Sequence, residues 1–172
     1  VVDAHTYGGE GGKQQSLTRA EQLDSASPWV QHLDVSTEPW SPGKCANGAA
    51  FPNCANPDSP GPDSGTTDAD TAPHDDAVVG PSCDGALPVA GDLLFTEVMF
   101  NPGSIDTNGD GVASGTEDEF VELVNVSGQL LDVGGVTFSE TGGKSFVLPV
   151  GTCLPANHVV ILFGKFSGQT GP

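Results

Sequence analysis

Between Asp92 and Gly164 the chain alternates short runs of β-branched, aliphatic and aromatic residues with turns rich in Gly, Pro and Asn. The runs are "DLLFTEVMF" (92–100), "EFVELVNV" (119–126), "GGVTFSE" (134–140), "KSFVLP" (144–149) and "HVVILFG" (158–164). Segments this brief, bounded by breakers, read as strands rather than helices. In the second run Phe120, Val121, Leu123 and Val124 interleave with Glu119, Glu122 and Asn125, a pattern that antiparallel sandwiches present. The chain also lacks long Ala, Leu, Glu and Lys-rich stretches, while 24 Gly and 14 Pro punctuate its 172 residues. The predicted fold class is therefore all-β, with a β-sandwich architecture.

Three segments follow from composition. Residues 1–54 alternate β-prone pieces ("VVDAHTY", "SLTR", "PWVQHLDV") with turns, closing on "SPGKCANG". Residues 55–89 are dominated by Pro, Asp, Gly, Ser and Thr and have almost nothing to bury. Such a segment does not offset its ordering entropy, so a disordered acidic linker is expected. Residues 90–172 are the best-organised part. The chain begins with Val1 and ends on "FSGQTGP", and it reads as a piece of a longer protein.

Charge narrows the function classes. Asp and Glu number 23 against 5 Lys and Arg, for a net charge of −18. A nucleic-acid binder must present cations to phosphates, and an anionic membrane makes the same demand, so both are disfavoured. No run is apolar enough to cross a bilayer. The four cysteines, Cys45, Cys54, Cys83 and Cys153, form no CxxC pair and have no His at zinc-finger spacing. An even count in a loop-rich chain suggests disulfides and an oxidising, extracellular setting. Of the three possible pairings, Cys45 with Cys54 is favoured because the two bracket the turn-rich "ANGAAFPN", leaving Cys83 with Cys153.

The stretch "DTNGDGVASGTE", residues 106–117, has the spacing of a twelve-residue calcium loop. Asp106, Asn108 and Asp110 fill positions one, three and five, and Gly111 takes the sharp bend at six. Val112 would offer its carbonyl, Ser114 would bind directly or through water, and Glu117 falls on the bidentate position twelve. Calcium rather than magnesium is expected, because a flexible loop of many oxygens suits the larger ion. The usual exit helix is replaced here by a strand, so Asp118 or Glu119 are alternatives to Glu117 for closing the site. A dockerin needs two loop-helix repeats, and one loop between strands does not meet that requirement.

Catalytic patterns are weak. His5, His32, His74 and His158 are widely separated and form no HxH or HExxH motif. Glu119 and Glu122, three apart on a strand, point to opposite faces and cannot share a substrate. Glu97, within an apolar strand, reads as a structural acceptor for loop backbone, and Arg19 as a buried or half-buried partner of a carboxylate. The chain is not expected to be an enzyme.

Residues 90–172 resemble the first half of a lamin-tail domain. Glu97, Asn101 and Pro102 match its opening strand, Glu119–Leu123 and Asn125 its second element, Leu131, Asp132 and Gly135 its third, and Pro149, Gly151 and Leu154 its fourth. The resemblance covers about eighty residues. Residues 1–54 are similar to the closing part of the same domain, through Tyr7, Gln15–Leu17, Arg19, Trp29 and "SPG" at 41–43. The order is thus reversed: the C-terminal part of one copy, a linker, then the N-terminal part of a second, as in a tandem repeat cut out of register. The resemblance implies an immunoglobulin-like fold, here incomplete or circularly permuted, with an exposed sheet edge open to intermolecular pairing. It also implies a bacterial, secreted or cell-surface module with a structural or adhesion function toward an unknown protein or glycan. The alternative it implies is an accessory domain that positions a neighbouring secreted nuclease or phosphatase. Nothing resembles a coiled-coil rod, so a nuclear role is not expected.

Overall fold

The computed structural model describes residues 3–4, 6, 14–55, 82–143 and 145–164. The linker expected over 55–89, His5, His74 and most of "VVDAHTY" lie largely or wholly outside these residues. The described part is almost entirely β, in agreement with the predicted class. Its strands are β1 (Leu17–Arg19), β2 (Trp29–Gln31), β3 (Leu93–Met99), β4 (Phe120–Asn125), β5 (Leu131–Asp132), β6 (Thr137–Ser139), β7 (Ser145–Val147), β8 (Cys153–Leu154) and β9 (Val159–Phe163). A single 3-10 turn spans His32–Asp34, so "PWVQHLDV" leaves the strand conformation at His32.

A five-stranded antiparallel sheet runs in the order β2-β1-β3-β4-β9, with β5–β8 and β6–β7 as two-stranded ribbons. The central pairing sets Leu17 opposite Val98 and Thr18 opposite Glu97. Strands β1 and β2 of the N-terminal segment therefore share one sheet with β3, β4 and β9.

Both faces of the sheet are covered. On one, Leu93, Phe95, Leu123, Val160 and Leu162 pack against Leu131, Val133, Leu148 and Leu154 with Phe138 and Phe146 from the ribbons. On the other, Leu94, Val124 and Val159 pack against Cys45, Ala49 and Phe51 from the N-terminal segment. β4 lies between β3 and β9, and all but one of its residues are buried. The expected alternation is absent there because a strand covered on both sides needs no solvent face.

Two disulfides, Cys45–Cys54 and Cys83–Cys153, clasp the described segments. The pairing is the one favoured on sequence grounds. Part of the segment that composition assigns to a linker is held in the fold: Cys83 is bonded to Cys153, and Ala86 forms a parallel bridge with Leu131. Linker-like residues 82–89 are thus seated on the fold by a covalent bond that composition does not register. Among the described residues no helix is long and apolar enough to cross a membrane.

Candidate functional site

The loop joining β3 to β4 is shaped by its own short polar side chains. Asp106 accepts the amides of Gly109 at 2.7 Å and Gly111 at 2.8 Å, Asn108 accepts that of Asp110 at 2.9 Å, and Asp110 that of Val112 at 2.9 Å. Gly111 sits at φ 87°, a left-handed conformation that explains a glycine at the bend. Asn108 and Asp110 thus each form an Asx turn, while Asp106 reaches the amides three and five residues on.

Asp118 closes this loop, and it does so with backbone amides. Its side chain is fully buried and accepts from Thr107 N at 2.8 Å, Asn108 N at 3.1 Å and Ser114 N at 2.7 Å. One carboxylate thereby ties the entry of the loop to its exit. Glu119 is turned away and accepts the amide of Asn101 at 3.0 Å. The Ser114 hydroxyl accepts the amides of Thr116 and Glu117. Glu117 is half-buried at the exit of the loop.

The oxygen donors at Asp106, Asn108, Asp110, Val112 and Ser114 suit a hard cation in chemistry. Convergence is another matter: among the described residues no three His, Cys, Asp or Glu side chains meet closely enough to hold a metal. The loop supplies donors of the right kind, and a cation would have to draw its carboxylates together.

A second polar centre lies inside the fold, and its geometry begins with a β-bulge. The register of β3 against β4 shifts between Phe95 and Glu97, so Glu97 falls directly opposite Glu122. Simple alternation would place Glu97 on the face of Leu93 and Phe95. The extra residue, Thr96, moves it to the face shared by Glu122 and Val124, where the N-terminal segment packs. Both carboxylates are fully buried.

They grip one turn. Ser41, Pro42, Gly43 and Lys44 close a four-residue turn through Lys44 N–H to the Ser41 carbonyl at 2.9 Å, with Gly43 at φ 80°. Pro and Gly in these places match a type II turn. Glu97 accepts the Ser41 amide at 2.9 Å, the Ser41 hydroxyl at 2.9 Å and the Ser16 hydroxyl at 2.6 Å. Glu122 accepts the Gly43 amide at 2.5 Å and the Thr96 hydroxyl at 2.6 Å. The expectation that Glu97 serves loop backbone describes what is observed.

Burial dominates the electrostatics. It pushes the Glu122 carboxyl up to about 8, opposed by the Thr96 hydroxyl and aided by the neighbouring Glu97 charge. Burial also raises Glu97, against the pull of His32 and the hydrogen bonds from Ser16 and Ser41. His32 is itself fully buried, with Nδ1 at 2.6 Å from the Glu38 carbonyl and Nε2 at 2.9 Å from the Ser41 hydroxyl.

Ser41 and His32 have the separation of a nucleophile and base. The Ser41 hydroxyl is nonetheless shared with Glu97, and the adjacent amides of Gly43 and Lys44 are bonded to Glu122 and to Ser41 itself. Those amides cannot stabilise a developing oxyanion, so the arrangement is built to hold a turn. Above it opens a groove of about 670 Å3, lined in part by Leu33, Val35, Trp40, Ser41 and Lys44.

Arg19 forms the third buried polar site. It donates to the carbonyls of Phe95, Ser25 and Ser27 and pairs with Asp3 at 3.1 Å. His158 is exposed. Sequence reasoning missed His32 and the opposition of Glu97 and Glu122. The available signal was a glutamate inside each of two apolar strands together with "SPG", which only a bulge brings to one place.

No family model, curated protein or solved structure matches the chain.

Proposed function

We propose that this chain is a non-catalytic, extracellular or cell-surface module of lamin-tail type, with a structural or adhesive role and a calcium-stabilised corner between β3 and β4. The observation that carries the reading is the β3–β4 loop. Its sequence has the spacing of a calcium loop, and its Asp and Asn side chains hold the backbone of the loop through amide hydrogen bonds. Asp106, Asn108, Asp110, Val112, Ser114 and Glu117 would hold the ion, which would rigidify the polar connection between the two central strands. The two disulfides support an oxidising location. The pairing of β1 with β3 supports closure of the lamin-tail pattern by segments that occur in reversed order. The immunoglobulin-like sandwich belongs to the same proposal.

Thermal unfolding in calcium and in chelator tests it. An ion that binds only the folded state at a hundred times its Kd adds about 2.7 kcal/mol, roughly 5–10 °C for a chain of this size. Identical melting temperatures in calcium and chelator would remove the calcium site and, with it, the support for a calcium-rich setting.

A further inference from the structure

The turn at Ser41–Lys44 is held by groups whose hydrogen bonds require a definite number of protons. His32 Nδ1 faces the Glu38 carbonyl at 2.6 Å, so that nitrogen carries a hydrogen. Two links then remain, Nε2 to the Ser41 hydroxyl at 2.9 Å and that hydroxyl to Glu97 Oε2 at 2.9 Å. The hydroxyl supplies one hydrogen, and a second must sit on His32 Nε2 or on Glu97. If the hydroxyl turns instead to the Lys44 carbonyl at 3.2 Å, still more protons are needed. The intact network therefore holds at least one proton beyond those of a neutral histidine and an ionised glutamate.

Glu122 makes the same demand by another route. It is the direct cross-strand partner of Glu97, and neither carboxylate is exposed. Two ionised carboxylates in this position would repel each other in a region of low dielectric. The Thr96 hydroxyl at 2.6 Å serves Glu122 in either protonation state, as donor to the carboxylate or acceptor from the acid.

The surrounding charges do not relieve this. His32 is the cation-capable group at the cluster, 3.8 Å from Glu97 Oε2. Arg19 of β1 is committed to Asp3 and to three carbonyls. Glu38 faces the cluster with its carbonyl, and its side chain and that of Lys44 are exposed. Glu119 of β4 is bonded at Asn101. β9 brings only Val159 to Phe163.

We propose that His32, Ser41, Glu97 and Glu122 form a proton-loaded latch, which holds the Ser41–Lys44 turn against the sheet while protonated and releases it on deprotonation. The consequence reaches the surface, because Ser41, Pro42 and Lys44 of the turn line the groove together with residues 33–38 and 46–48. Release would reshape that groove and loosen the N-terminal segment, while the ribbons β5–β8 and β6–β7, on the opposite face of the sheet, stay in place. This inference is independent of the calcium reading, since no residue of the latch belongs to the loop.

Hydrogen exchange on the whole chain, read by mass spectrometry from pH 6 to pH 9 and corrected for the intrinsic rise in exchange rate, tests the latch. The amides of Ser41, Gly43 and Lys44 should lose up to about tenfold in protection per pH unit as the pH rises from 6 toward the value of about 8 for Glu122, and should level off above it, with the ribbons unchanged. In E122Q the loss should shrink, because a glutamine accepts the Gly43 amide without titrating. Protection that does not depend on pH in the native chain would overturn the proposal. So would an equal loss across all strands, or an undiminished local loss in a folded E122Q. Should E122Q fail to fold, the native pH series decides alone.

Discussion

The Glu97 carboxylate accepts a hydrogen bond at 2.6 Å from the hydroxyl of Ser16, 81 positions earlier in the chain, with both side chains removed from solvent. That contact sits beside the β1–β3 pairing and joins the two ends of the sequence through a buried charge-bearing group. Its worth lies in what its loss exposes. Ser16→Ala leaves a buried carboxylate short of one donor and is expected to cost about 1–3 kcal/mol. Urea unfolding measures this, and a cost under about 0.5 kcal/mol would show that the remaining donors suffice.

Arg19 should be more sensitive. Its guanidinium reaches the carbonyls of Phe95, Ser25 and Ser27 and the Asp3 carboxylate while the side chain is almost wholly buried. Arg19→Met removes all four partners and is expected to destabilise by roughly 3–5 kcal/mol, because the carbonyls and Asp3 stay behind unpaired. Arg19→Lys keeps the charge but not the planar fork, and should recover only part of that loss in the same measurement. Full recovery by lysine would show that charge alone matters.

Stability should fall as the medium becomes more alkaline. The folded Glu122 carboxyl binds its proton up to about pH 8, whereas the unfolded side chain releases it near the ordinary value of 4.5. Across that window the folded state holds more protons, so its advantage is complete below 4.5 and is lost progressively toward pH 8. The slope is at most about 1.4 kcal/mol per pH unit for this one group. Raised Glu97 acts in the same direction. Self-repulsion in a chain of net charge −18 also varies with pH, so the comparison with E122Q isolates the buried group. Melting temperatures of the two proteins from pH 5 to pH 9 should lie closest at the acid end and separate toward the alkaline end, where the native chain loses more. Parallel curves would assign the whole effect to surface charge.

Asp118 allows a test of the loop without any metal. It accepts three backbone amides from both ends of the loop. Asp118→Asn keeps one acceptor oxygen and sets an amide group against donors, which should cost about 1–3 kcal/mol even in chelator. Unfolding of the variant in chelator measures that cost directly. An effect confined to calcium-containing buffer would mean that Asp118 acts through the ion instead.

The disulfides should differ in weight against their burial. Cys153 is exposed and Cys45 fully buried, yet Cys83–Cys153 spans 70 positions and Cys45–Cys54 only 9. Loop-closure entropy gives about 4 kcal/mol for the longer bridge and about 2.5 kcal/mol for the shorter. The double variant C83A/C153A is therefore expected to unfold at lower urea than C45A/C54A. The reverse order would show that packing around Cys45 outweighs chain entropy.

Several features were legible because they depend on neighbours in sequence. Strand existence followed from short apolar runs between breakers, and the calcium-loop spacing from Asp, Asn and Gly at fixed offsets. The Cys45–Cys54 pairing followed from two cysteines around a turn. Each is a local property, governed by backbone preference and side-chain reach over a few residues. The end of β2 at His32 was not legible, because the ring is drawn inward by the Glu38 carbonyl and the Ser41 hydroxyl.

The sequence by itself determined an all-β chain, a strongly acidic composition and a polar Asp/Asn/Gly loop with calcium-loop spacing. The tertiary structure decided that Leu17–Arg19 pairs with β3, that Thr96 bulges, and that Glu97 and Glu122 meet over the Ser41–Lys44 turn. The physical reason is that a one-residue shift in register reverses the face to which every later side chain points. Whether a glutamate in an apolar strand meets water or another buried glutamate depends on that shift, and composition carries no trace of it.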